Sequence, residues 1–208
     1  MDAMELIFYK GPGGWLDWGI RLRTAGPYSH VELRFEENLM FSSSWLDGGV
    51  RFKDKPVRPE NWDRLAIDVD GATAEKMLWW CSKRKAAKYD LVGIFSFFSI
   101  LGRSYEDADR WHCSEISGAC LTKHDLLEVS RKVSPNSLYA QAVRTPEVFQ
   151  PVTGEFQPRL TRPYLQLARD KADSLLNLDP KQREREIYEL SLDEPVLYSL
   201  VMMKLNEE

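Results

Sequence analysis

Cysteine and histidine together are the simplest side-chain source of a carbon-directed nucleophile. A thiolate attacks a carbonyl, and an imidazole within hydrogen-bond reach takes the thiol proton. The chain holds three cysteines, Cys81, Cys113 and Cys120, and three histidines, His30, His112 and His124. Cys81 and Cys120 fall on apolar faces of helix-like stretches and read as small buried hydrophobes. Cys113 stands at the start of a predicted helix, where unpaired backbone N–H groups favour the thiolate. His112 is adjacent to it, so its side chain is expected to point elsewhere, and His124 lies on far turns of the same helix. His30, on the polar side of a predicted strand, is the candidate base. The base needs an orienting partner, for which three residues are open. Glu32 lies on the same strand face, and Ser42 and Ser44 lie on the return strand, within cross-strand reach.

These side chains need a sheet and a helix to hold them. Glu5 to Tyr9 predicts a short strand, closed by Gly11-Pro12-Gly13-Gly14. Trp15 to Arg23 has helical spacing of apolar residues. Ser29 to Phe35 alternates, with Val31, Leu33 and Phe35 on one face and His30, Glu32 and Arg34 on the other. Glu36-Glu37-Asn38 turns the chain into a return strand from Leu39 to Ser44. Short strands are expected at Val50–Lys53 and from Trp62 to Val69. A helix is expected from Ala74 to about Lys88, then an aromatic, core-like run from Tyr89 to Ile100 and a polar loop from Gly102 to Asp109. Cys113 to Leu121 predicts the nucleophile helix, and Ser134-Pro135-Asn136-Ser137 caps a short helix through Val143.

The composition shifts after about Gln150. Residues 1–150 are therefore expected to form the domain that carries Cys113 and His30, and residues 151–208 a proline-punctuated linker with a helical extension. The extension comprises charge-dense helical patterns at Pro163–Leu176 and Pro180–Leu190, and an amphipathic stretch to Leu205.

The chain has 208 residues, 43% of them hydrophobic, which is enough for a packed core. A net charge of −4 gives no basic footprint for nucleic acid. An odd number of cysteines without a CxxC pair fits a reducing compartment. No secretory signal is visible, and Leu91 to Leu101 is too short to span a bilayer, so a cytoplasmic location is expected. His30, His112, Cys113 and Glu115 are metal-ligand types without paired-ligand spacing, so no metal and no cofactor is expected. Glu115 reads as a solvent-facing glutamate that complements the helix dipole.

Three segments in order, Tyr28-Ser29-His30-Val31-Glu32-Leu33, Lys88-Tyr89-Asp90-Leu91-Val92-Gly93-Ile94 and Trp111-His112-Cys113-Ser114-Glu115, resemble the permuted branch of the NlpC/P60 papain-like superfamily. The resemblance is to its YiiX/YaeF-like amidases and related phage proteins, and it covers roughly the first two-thirds of the chain. It implies an α+β permuted papain-like fold, an antiparallel sheet packed against helices, with Cys113 as nucleophile and His30 as base. In that family the third residue lies on the strand after the histidine. Relatives resembling lecithin:retinol acyltransferase place a second histidine at the position filled here by Ser42, and YiiX-like members often use an acid.

The expected activity is a cysteine hydrolase, amidase, peptidase or esterase, working through a thioester on a small-molecule, peptide or lipid acyl substrate. A lipid acyltransferase is the alternative within enzymes. A non-catalytic binding or virion-associated module, meeting a protein partner through the C-terminal helices, is the alternative from another class.

Overall fold

Alternating apolar residues in the first seventy positions assemble as strands because one face of each can be buried against its neighbours. The computed structural model describes residues 4–85, 87–89, 110–156 and 163–206. Six antiparallel strands run in the order β4-β3-β2-β1-β5-β8: β1 (Met4–Tyr9), β2 (His30–Arg34), β3 (Leu39–Ser44), β4 (Gly49–Asp54), β5 (Trp62–Ile67) and β8 (Phe149–Pro151). Two-residue strands β6 (Lys88–Tyr89) and β7 (Arg110–Trp111) extend the β4 edge, and β7 runs parallel to β6. Among the described residues there are seven α-helices: α1 (Trp15–Arg23), α2 (Gly71–Ser82), α3 (Cys113–Lys123), α4 (Pro135–Ala142), α5 (Tyr164–Leu176), α6 (Pro180–Asp193) and α7 (Pro195–Leu205).

Leu6, Phe8, Val31, Leu33, Phe41, Phe52, Leu65 and Ile67 form the buried sheet face, sharing one core with Ile116, Cys120 and Leu121 of α3. The aromatic run and the polar loop expected between Tyr89 and Asp109 lie outside the described residues. Asp70 caps α2 by accepting from the Thr73 N–H at 2.7 Å, so that helix begins at Gly71 and not at Ala74. It also ends earlier, at Ser82, and Lys88 pairs with Gly49 in the sheet.

The second face of the sheet is not the solvated polar face that the alternation suggests. Glu5, Glu32 and Arg34 are all buried. Arg34 and Arg64 both bond the Glu5 carboxylate at 3.0 Å. The chain after β8 covers the Glu5–Arg34–Arg64 cluster: Arg64 donates to the Gly154 carbonyl at 2.7 Å, and the Arg34 guanidinium stands 4.1 Å from the Phe156 ring centre.

Residues expected to be a linker therefore supply the end of a strand, at Pro151, and a cover. The C-terminal helices also join the common core, through Leu165, Ala168, Leu175, Leu200 and Val201. Asp54, at the end of β4, receives Arg169 of α5 at 2.6 Å and Lys204 of α7. Lys85 donates to the Ser199 carbonyl, and Glu36 accepts from the Leu165 N–H at 3.2 Å. The last helix is not amphipathic. It packs against α2, α5, α6 and β4, so Val196, Leu197, Ser199, Leu200, Val201 and Met203 are buried around most of its circumference. No helix of the described residues is long and apolar enough to cross a membrane.

The turn that delivers β2 is clamped by α4. Asn136 donates to the Thr24 hydroxyl at 2.6 Å and to the Tyr28 carbonyl at 2.8 Å, and accepts from the Tyr28 N–H at 3.0 Å. Gly26 passes so close that an added Cβ would stand 2.2 Å from Asn136 Oδ1. Asn136→Ala is expected to lower stability by about 1–3 kcal/mol, measured by urea denaturation, because it strands the Tyr28 backbone groups. A change within about 0.5 kcal/mol would remove Asn136 as the clamp.

Candidate active site

His30 is the first residue of β2, paired with Tyr9 of β1. On its other side, β2 and β3 register only at Leu33–Phe41 and Arg34–Met40. The start of β2 thus has its β3 flank open to α3, which packs against both strands. Ser43 fixes the approach by donating to the Trp111 carbonyl at 2.6 Å.

Cys113 is the first residue of α3, and His112 is its N-cap. The His112 ring accepts from the Glu115 N–H, with Nδ1 at 3.3 Å, and Ser114 Oγ donates to the Val133 carbonyl at 2.7 Å. The cap takes up the Glu115 N–H and leaves those of Cys113 and Ser114 outside the bonds described for this turn. Unpaired N–H groups at a helix start carry partial positive charge, which favours a thiolate there.

Burial opposes charge on both His30 and Cys113, yet each side chain favours the charged form of the other. The His30 ring, pushed down by burial, is raised to about 9 by the Cys113 thiolate and Glu32. The Cys113 thiol, pushed up by burial, is lowered to about 5 by His30, with a further hydrogen-bond contribution from His112. His112 does not point away as expected, because its capping position brings the ring back over the first turn.

The structure places Glu32 on the His30 ring, with Nε2 2.9 Å from Oε1. That leaves Nδ1 as the ring nitrogen for the sulfur. The Ser42 hydroxyl does not bond the ring: it donates to the Val31 carbonyl at 2.6 Å and braces the β2–β3 junction. Ser44 stands on the wall of the neighbouring cavity. Burial pushes the Glu32 carboxyl up, but Arg51 and His30 hold it well below the usual carboxylate range.

Arg51 is the site residue that the local sequence pattern does not single out. Its Nη2 donates to Glu32 Oε1 at 2.6 Å and its Nε to Asp47 Oδ2 at 2.7 Å. Lys53 also bonds Asp47, at 2.9 Å. The signal is the alternation of Arg51 and Lys53 on β4, but it becomes legible only once Arg51 is registered with Ser42. Glu115 is also placed differently from expectation. It is buried and bonded by Arg131 at 2.9 Å, with the His112 ring 3.8 Å away.

A cavity of about 580 Å³ opens beside His30 and Glu32. Its wall includes His30, Glu32, Arg51, Tyr9, Trp45 and Trp62, with Lys55 and Arg58 among its cations. His30 keeps 21% side-chain exposure on this wall, whereas Cys113 is 4% exposed and does not line the cavity. Ser29 holds the α1 wall next to His30, donating to Asp17 at 2.6 Å and accepting from Arg21 at 3.0 Å. Together these groups set a thiol and an imidazole that favour each other's charged forms, with a carboxylate on the ring. No protein-family model and no curated protein matches the chain.

Proposed function

We propose that this protein is a cysteine-nucleophile hydrolase of amide or ester bonds, built on a permuted papain-like scaffold of the NlpC/P60 type. The observation that carries the reading is His30, held at 2.9 Å by Glu32 while it shares charge with Cys113 at a helix start. The order of the parts, a histidine-bearing strand before a cysteine-bearing helix, supports the permuted scaffold.

In the reaction the Cys113 thiolate adds to the substrate carbonyl. The first-turn N–H groups of α3 stabilise the developing oxyanion. The tetrahedral intermediate collapses to a thioester as the His30 imidazolium protonates the departing amine or alcohol. Neutral His30 then takes a proton from water as its oxygen attacks the thioester; collapse releases the carboxylic acid, which ionises in solvent, and restores the Cys113 thiolate beside the His30 imidazolium. Glu32 keeps the ring oriented and favours its charged form throughout.

The test is turnover of a panel of activated esters, thioesters and acyl-amino amides by the full chain. Cys113→Ala is expected to lose at least about 10³-fold in kcat/KM on any substrate turned over. Equal rates in Cys113→Ala and wild type would discard the reading. A second reading, a binding module on the same scaffold, is favoured by α6. That helix has no buried residue and displays Tyr188 and Leu192 at 65% and 63% exposure. It predicts no Cys113-dependent turnover on the panel and an ordinary Cys113 thiol.

A further inference from the structure

Cys81 of α2 and Cys120 of α3 face each other across a helix contact that the proposed reaction does not use. Their sulfurs are 3.9 Å apart, and both are free and fully buried. A disulfide has an S–S bond of about 2.05 Å, so closure needs an approach of roughly 1.9 Å, the scale of a side-chain rotation.

The two sulfurs are chemically unequal. His124 Nδ1 is 2.8 Å from the Cys120 carbonyl, so it carries the proton it donates there. The same nitrogen lies 4.0 Å from Cys120 Sγ and favours a thiolate on it. The Arg84 guanidinium, stacked 3.5 Å from the Trp80 ring centre, adds positive charge nearby. Burial pushes the Cys120 thiol up, but Cys81, His124 and Arg84 bring it down to about 7, whereas burial keeps Cys81 protonated. One sulfur is thus ready to attack and the other to resolve. The donation of His124 Nδ1 to a carbonyl removes that nitrogen from metal binding. No group of three ligating side chains is placed to hold an ion among the described residues.

We propose that Cys81 and Cys120 form a peroxide-responsive disulfide that staples α2 to α3, the helix whose first residue is Cys113. The Cys120 thiolate attacks one oxygen of hydrogen peroxide, breaking the O–O bond and forming a sulfenic acid, with hydroxide as the leaving group. Cys81 then attacks the Cys120 sulfur, forming the S–S bond and breaking S–O. The two thiol protons leave in water. Overall, two thiols are oxidised and one peroxide is reduced to two waters.

The experiment treats the native full chain with hydrogen peroxide and quenches with catalase. Remaining thiols are blocked under denaturing conditions, and unreduced peptides are read by mass spectrometry. The expected product is a Cys81–Cys120 linked peptide pair two hydrogens lighter than its parts, in wild type and equally in Cys113→Ser. The thermal midpoint is expected to rise by about 5 °C or more, reversibly with dithiothreitol, since the bond closes the long loop between the helices. Cys81→Ser should give neither the link nor the shift. Blocked Cys81 and Cys120 after a reference dithiol has fully oxidised would overturn the proposal. So would a link to Cys113 in place of this pair, or a linked protein with an unchanged midpoint.

Discussion

At pH 6, iodoacetamide is expected to alkylate Cys113 about tenfold faster than an ordinary free thiol, and His30→Ala is expected to remove the advantage. Cys113 titrates near 5 because the His30 charge outweighs the burial that pushes the thiol up. A free thiol titrates at about 8.5, so the thiolate population at pH 6 is about 300-fold larger at Cys113. The less basic sulfur is also a weaker nucleophile, which takes back about 25- to 55-fold. Labelling of Cys113 should therefore rise through about pH 5, the value at which its thiolate forms. It should level off until His30 loses its proton near pH 9. Without His30 the rise moves to higher pH, because burial still opposes the thiolate. The rates are read peptide by peptide, with Cys81 and Cys120 as buried thiols in the same molecule. A Cys113 profile that follows an ordinary thiol, or that ignores the His30 change, would falsify the ion pair.

Arg51→Met should destabilise the fold by about 3–5 kcal/mol at pH 7, the range for leaving one member of a buried ion pair uncompensated. Glu32 is buried and is bonded by Arg51 and His30 alone among its described contacts, so the loss of the guanidinium leaves its charge mainly on the imidazole. For a chain of this size the shift corresponds to a thermal midpoint lower by about 6–20 °C. The sign of the pH dependence follows from Glu32. Its carboxyl lies below the ordinary range in the folded state. It therefore contributes full stability above the unfolded-state value and loses it as pH falls through the folded one. Removing Arg51 raises the folded value, so Glu32 contributes a smaller acid-side loss in the variant and the gap to wild type narrows as pH falls below the unfolded-state value. Guanidinium denaturation at pH 7 and pH 4 measures both effects. Adding Glu32→Gln to Arg51→Met should recover part of the loss, because no uncompensated charge is then left. A single variant within about 1 kcal/mol of wild type would show that Glu32 does not depend on Arg51.

Local pattern was sufficient for several parts of this protein. The helix Trp15–Arg23 follows the apolar spacing of its sequence, and the return strand Leu39–Ser44 follows its turn. Cys113 stands at a helix start, and Glu32 sits two residues from His30 on one strand face, as their spacing requires. These features depend on backbone periods and capping chemistry, which a few neighbouring residues decide. The rest depends on which surfaces pack together. Ser42 and Glu32 were equal candidates until cross-strand placement put the Ser42 hydroxyl on a backbone carbonyl. Arg51 reaches Glu32 only because β3 sets β4 beside it in one register. Glu5 and Arg34 are buried because the chain after β8 folds over their face, which no alternation of residues encodes. His112 turned from an inert neighbour into a cap because a helix start offers its free N–H groups to whatever side chain lies nearest. Sequence by itself determined which residues carry the reactive groups and which way each faces along its own element. Tertiary structure alone decided which of them meet, because meeting is set by the free energy of packing the whole chain and not by any short stretch of it.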